Sequence, residues 1–190
     1  MANINERLDK IQEKIKEDKF IEGRGLGNEI SFYIFDYHPK HELIVRDHIN
    51  SLKRIFDSER YNRKILEIDL YKMLLSLAKK QRIYDKIFEI EKNAGRDALF
   101  TALNNFAIPE IFLNEIEKKI GDHNVLFITG VGKIYPFVRS HTILNNLQER
   151  IDKIPVIMFY PGVYDGQSLN LFGTFKDDNY YRAFQLIDYK

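Results

Sequence analysis

Ile4, Leu8, Ile11 and Ile15 are the apolar positions of an otherwise charged opening stretch, and their spacing lays one stripe along a helix. Gly23, Gly25 and Gly27 end that pattern. The period then changes. Residues 30–36 (ISFYIFD) are a continuous β-branched and aromatic run, which predicts a buried strand. His38-Pro39 opens a helix with proline preset for its first position, and Val45, Ile49, Leu52 and Phe56 form its inward stripe. Residues 65–68 (ILEI) predict a second strand, and Asp69 is placed to cap the helix LYKMLLSLAKK after it.

Ile83, Ile87 and Ile90 mark a further helix, followed by a less regular stretch from Gly95 to Phe106. Pro109 starts the next, with Phe112, Ile116 and Ile120 inward and Gly121 as its stop. Two apolar runs of strand length follow, 125–129 (VLFIT) and 156–160 (VIMFY), separated by a helix marked by Leu144, Leu147 and Ile151. A last strand is expected over 168–172, before an aromatic tail. Strands apolar on both faces that alternate with amphipathic helices predict a mostly parallel sheet covered on both sides. The expectation is a three-layer α/β/α fold of Rossmann or P-loop-like architecture. It carries a helical insertion between the second and third strands, and residues 1–190 form a single domain.

Composition narrows the function. With 44% hydrophobic and 30% charged residues the chain reads as globular. Lys+Arg 29 against Asp+Glu 28 removes any general electrostatic case for strong DNA binding. Zero cysteines exclude disulfides, thiolate zinc sites and thiol catalysis. No apolar run reaches the ~18 residues of a membrane span, and the charged N-terminus is unlike a signal peptide, so the expected address is cytoplasmic.

Ligands of open parallel sheets sit at the strands' carboxyl ends. There the chain supplies Asp36 and His38, then Asp69, then Gly130-Val131-Gly132-Lys133, and finally Asp165 beyond Pro161-Gly162. Asp36, His38, Lys133, Arg139 and Asp165 are therefore the ligand-binding candidates. In one reading Lys133 and Arg139 hold phosphate while Asp36 or Asp165 holds Mg²⁺; in the other these residues cap helices and shape turns. The Gly-Lys segment lacks the spacing GxxxxGK[ST], with Ile134 where the hydroxyl residue belongs. No HExxH pattern joins the histidines and no GxSxG elbow exists, so no catalytic residue, metal or cofactor is expected. A local basic run (Lys53, Arg54, Arg60, Arg63, Lys64) is the one stretch that suits phosphates.

Aromatic residues crowd the C-terminal end. Tyr164, bracketed by Gly162 and Gly166, is expected to project from a turn. Together with Tyr180, Tyr181, Arg182 and Phe184 it forms the candidate partner interface, since Tyr and Arg are common interface anchors. Asp36 is expected to pair with Arg139 across the crevice.

The segments GRGLGNEISFYIFDYHPKHEL (23–43), LFITGVGKIYPFVRSHTILNNL (126–147), IPVIMFYPGVYDGQSLNLFG (154–173) and YYRAF (180–184) resemble the BrxB family of bacterial BREX phage-exclusion systems. The order of all four is specific where each alone is not. Gly25, Gly27, Asp36, Pro136, Arg139, His141, Pro161, Gly162, Asp165 and Gly166 are the positions that match. The resemblance implies a cytoplasmic component of an antiviral gene island. Its implied companions are the phosphatase-like PglZ, the methyltransferase PglX and the ATPase BrxC, with PglZ the expected partner. It supplies no catalytic residue. The expected role is a non-catalytic assembly subunit, with a degenerate nucleotide-binding or phosphotransfer domain as the alternative.

Overall fold

The computed structural model describes residues 3–22, 32–58, 63–151, 153–177 and 183–189. Gly25 and Gly27 fall outside them. The elements are α1 (Ile4–Lys16), α2 (Asp18–Ile21), β1 (Phe32–Tyr37), a 3-10 turn (Pro39–His41), α3 (Glu42–Phe56), β2 (Ile65–Asp69) and α4 (Leu70–Lys80). They continue with α5 (Tyr84–Phe106), α6 (Pro109–Ile120), β3 (Val125–Thr129), α7 (Val131–Ile134) and α8 (Ser140–Arg150). Four strands complete the chain: β4 (Val156–Tyr164), β5 (Leu169–Leu171), β6 (Phe175–Asp177) and β7 (Phe184–Gln185).

The seven strands form one sheet whose main path runs β2-β3-β4-β1-β7. Every pairing along that path is parallel. The far half of β4 turns to antiparallel pairing with β5, and β5 with β6. Helices cover both faces, as the two-sided apolar strands predict. On one face α1 and α3 bury Leu8, Ile11, Val45, Ile49 and Leu52 against Phe35, Phe127, Ile157 and Phe159. On the other, α4, α6 and α8 bury Leu74, Phe112, Leu113, Ile143 and Leu147 against Ile34, Ile128, Met158 and Tyr160. The alternation along each strand divides the core in two, and the fold is a three-layer α/β/α sandwich. Taken in chain order, the five strands of the main path run 5-1-4-3-2.

The sequence expectations need adjusting in two places. The chain does break at Gly95, whose φ 82° and ψ −179° kink α5 into two helical segments, but helical geometry resumes beyond the kink and runs to Phe106 instead of staying irregular. Strand β4 does not end at Tyr160 but extends to Tyr164. Pro161 lies opposite Tyr37, and Gly162 lets the Asn170 backbone approach too closely for any side chain to fit. What reads in the sequence as a strand-end loop is therefore strand.

Candidate functional site

Asp36 sits in β1, one residue before its end, and is fully buried. Its expected partner was Arg139; the partner is instead Arg7 of α1, whose Nη2 donates to Oδ1 at 3.0 Å. Arg7 Nη1 also donates to the Asp36 carbonyl at 2.8 Å, and Nη2 reaches the Ile187 carbonyl at 3.4 Å. The other carboxylate oxygen accepts from the Tyr164 backbone N–H at 2.9 Å and the Tyr189 hydroxyl at 2.5 Å. Arg7 is itself buried between the rings of Phe35 and Tyr189, 4.7 and 4.1 Å from their centroids. Burial first, and the Asp36 carboxylate second, push the Tyr189 hydroxyl's pKa upward. Every strong acceptor site of Asp36 is filled from within the protein. This junction holds α1, β1, β4 and the C-terminal segment together.

The strand-end crevice lies beside it. A cavity of about 200 Å³ is lined by Tyr37, Pro39, Glu42, residues 130–133, Pro161 and Phe172. Lys133 does not reach into it as a free cation, because its ammonium pairs with Asp69. Asp69 also caps α4, accepting from the Lys72 N–H at 3.0 Å, as the sequence predicts. Gly130 has φ +75°, and a Cβ there would overlap Asp69 Oδ1; at Gly132 a Cβ would come within 2.8 Å of the Phe172 ring. Close packing, rather than a phosphate cradle, accounts for both glycines. The Tyr37 hydroxyl donates to Glu42 at 2.6 Å and is held far above its ordinary pKa, by burial and then by that carboxylate.

The remaining ligand candidates do not converge on this crevice. His38 is exposed and its Nδ1 accepts from the Lys40 N–H at 3.2 Å, capping its own 3-10 turn. Asp165 closes a local turn, accepting from the backbone of Ser168 and Gln167 and from the Ser168 hydroxyl. The same donors, Ser168 N–H foremost, lower its pKa to about 2. Arg139 stands at the N-cap of α8 and lines a different cavity, of about 280 Å³. In the basic run, Lys53 pairs with Glu67, Arg63 with Asp18 and Lys64 with Asp122. Those cations are largely neutralised in place.

Among the partner-interface candidates, Tyr164 does not project. It is buried, and its hydroxyl donates to the Ala183 carbonyl at 2.7 Å, because β4 carries it under the C-terminal segment. Phe184 is half exposed, and Tyr180, Tyr181 and Arg182 lie outside the described residues. The surface the sequence reading missed is α5. None of its residues is fully buried; Phe88 is 56% and Phe100 46% exposed, and their rings lie against those of Tyr84 and Phe137 respectively. The stripe Ile83, Ile87, Ile90 signals this helix but not its protrusion.

Comparison with known proteins adds identity to this geometry. The family model for BREX protein BrxB matches residues 66–186. The chain is 45% identical over 192 residues to the BREX protein BrxB of Bacillus cereus (strain H3081.97), covering 99% of this chain and 100% of that protein. With the BREX protein BrxB of Escherichia coli O9:H4 (strain HS) it shares 32% identity over 183 residues, covering 95% and 90%. No solved structure matches.

Proposed function

This chain belongs to the BREX protein BrxB family, and on that premise we propose that it is a cytoplasmic, non-catalytic assembly subunit of a BREX defence complex, docking a partner on α5. The observation that carries the reading is the kinked helical stretch Tyr84–Phe106, rich in apolar side chains, which buries none of them fully. A helix with an apolar stripe is stable when that stripe is covered, and exposed large aromatics are the material of interface anchors. No helix among the described residues is long and apolar enough to cross a membrane.

The nucleotide-handling alternative loses support residue by residue. The main path of the sheet is open and parallel, as in nucleotide-binding α/β folds, yet the junction between β1 and α3 is His38-Pro39-Lys40-His41, with no glycine to cradle a phosphate. Asp36, Lys133 and Asp165 are each engaged by neighbours. Fold likeness alone does not restore an activity.

PglZ is the partner we propose. The test is co-purification of tagged wild-type and Phe88→Glu protein from cells carrying the complete gene cluster. Wild type should retain PglZ, while the variant, still folded, should lose it through a weakening of about thirtyfold or more. Equal recovery of PglZ by both proteins places the contact elsewhere.

A further inference from the structure

The sheet ends at β2. Along the main path β2 pairs with β3 alone, and no strand among the described residues lies beyond it. All five residues of β3 are buried, whereas four of the five in β2 are only partly so. The ladder fixes which backbone groups face outward. The Lys64 carbonyl accepts from the Val125 N–H at 3.3 Å, so Lys64, Leu66 and Ile68 turn their backbone groups to β3. Ile65 and Glu67 turn theirs to the open edge, each with one donor and one acceptor where a further strand would lie. The opposite end of the path, β7, is only two residues long. An unpaired row such as that of β2 is a template for another strand.

The surface on both sides of that edge is hollow. Toward α4 and α6 a cavity of about 360 Å³ runs along residues 66–69, lined by Met73 and Leu77 and by the exposed Lys72 and Lys119. Toward α3 a second, of about 430 Å³, is lined by Ile65, Lys64 and Arg54, and Lys53 belongs to both. Side chains of a strand alternate between its faces, so an added strand would send one set toward each cavity. Charge selects what that strand carries. Of the carboxylates on the two linings, Glu67, Asp69 and Glu115 are held by Lys53, Lys133 and Lys80. Asp57 makes no ion pair among the described residues, and neither do Arg54, Lys72 and Lys119, which leaves three cations against one carboxylate. Two copies paired edge to edge would set that positive surplus against itself, whereas an acidic partner would neutralise it.

We propose that the free edge of β2 takes up an extended, acidic segment of a partner protein as an added strand. Its apolar side chains turn toward Met73 and Leu77, and its carboxylates come within reach of Arg54, Lys72 and Lys119. Backbone hydrogen bonds to Ile65 and Glu67 supply affinity, and the cations select the sequence. No residue lining either cavity belongs to α5, so this surface is separate from the docking helix.

The probe is a short labelled peptide of alternating glutamate and valine, titrated against the full chain by fluorescence anisotropy, with amide hydrogen exchange followed by NMR. It should bind with saturation and slow exchange at the Ile65 and Glu67 amides, leaving the α5 amides unchanged. The same peptide with lysine for glutamate, or with its backbone nitrogens methylated, should bind about tenfold more weakly or worse. Lys72→Glu/Lys119→Glu should weaken binding by a similar factor. Lys10→Glu/Lys153→Glu, the same change at two exposed lysines outside both cavities, should leave it unaltered. Circular dichroism and the thermal midpoint establish that each variant folds; should the first fail to, the altered peptides carry the comparison on wild type. The proposal is overturned if Ile65 and Glu67 are not protected, if the lysine peptide binds as tightly, or if the two double variants weaken binding equally. Protection of those amides that grows with protein concentration, without peptide, would also overturn it and assign the edge to a second copy of the chain.

Discussion

The Asp36 junction and helix α5 are opposites in how they treat their side chains. At the junction a carboxylate and a guanidinium, the two groups most at home in water, are 0% and 3% exposed. Along α5, Phe88 and Phe100, residues of a type that belongs in a core, stand 56% and 46% exposed. The carboxylate tolerates burial because its charge is matched and its lone pairs are filled; one Arg7 nitrogen, Nε, has no partner and rests between aromatic rings instead. Helix α5 tolerates exposure because it is tied to the domain by contacts with α4 and by Phe106, which packs against the core. Charge at a strand end is therefore structural in this molecule, and apolarity on a helix is surface.

The strongest way to break that contrast is to unmatch the junction. Arg7→Leu and Asp36→Ala should each lower stability by about 3–5 kcal/mol in urea titrations, because each strands a buried charge. The double variant should cost less than the two together; additive losses would show that the pair does not act as a unit. Next in size is Gly130→Ala, which puts a Cβ in the left-handed region against Asp69 Oδ1. A loss of about 1–3 kcal/mol is expected, and an unchanged midpoint would free the glycine to be a ligand loop after all.

A smaller effect separates the Asp165 turn from the junction. The folded-state pKa of Asp165 is about 2, below its ordinary value of 3.8, so its contribution is fully present above about pH 4. That contribution disappears as the pH falls towards 2. Thermal midpoints of wild type should therefore decline more steeply with acid than those of Asp165→Ala. Parallel curves would deny the turn any electrostatic share. The smallest change in stability belongs to α5. Phe88→Glu should stay within about 0.5 kcal/mol of wild type in the same urea titrations. A large loss would return Phe88 to the core and remove the docking surface.

Much of the sheet can be read from composition alone. The runs VLFIT and VIMFY are apolar on both faces, so each demands helices above and below, and both lie where they are expected. The full reach of β4 is hidden, because Pro161 and Gly162 look like a turn until Asn170 is seen to occupy the space beside the glycine. The junction was half legible. Asp36 could be singled out as buried, but its partner lies 29 residues away in a helix whose charges look uniformly exposed. One signal was available: Arg7 stands four residues before Ile11 and eight before Ile15, on the face that the apolar stripe turns inward. For α5, periodicity predicts a helix and a face, but whether a neighbour covers that face depends on where the chain runs next. Local sequence does not carry that information.

The junction also sets a schedule for synthesis. Asp36 accepts from Tyr164, Gln185 and Tyr189, which follow it by 128, 149 and 153 residues. A ribosome adding roughly 5–20 residues per second leaves that carboxylate waiting on the order of ten seconds for its final donors. Until then β1 carries a charge that cannot be taken out of water with all its bonds made, so the centre of the sheet stays open. Completion of the core is thus tied to emergence of residues 164–189, and a product terminated before them lacks what would let it close.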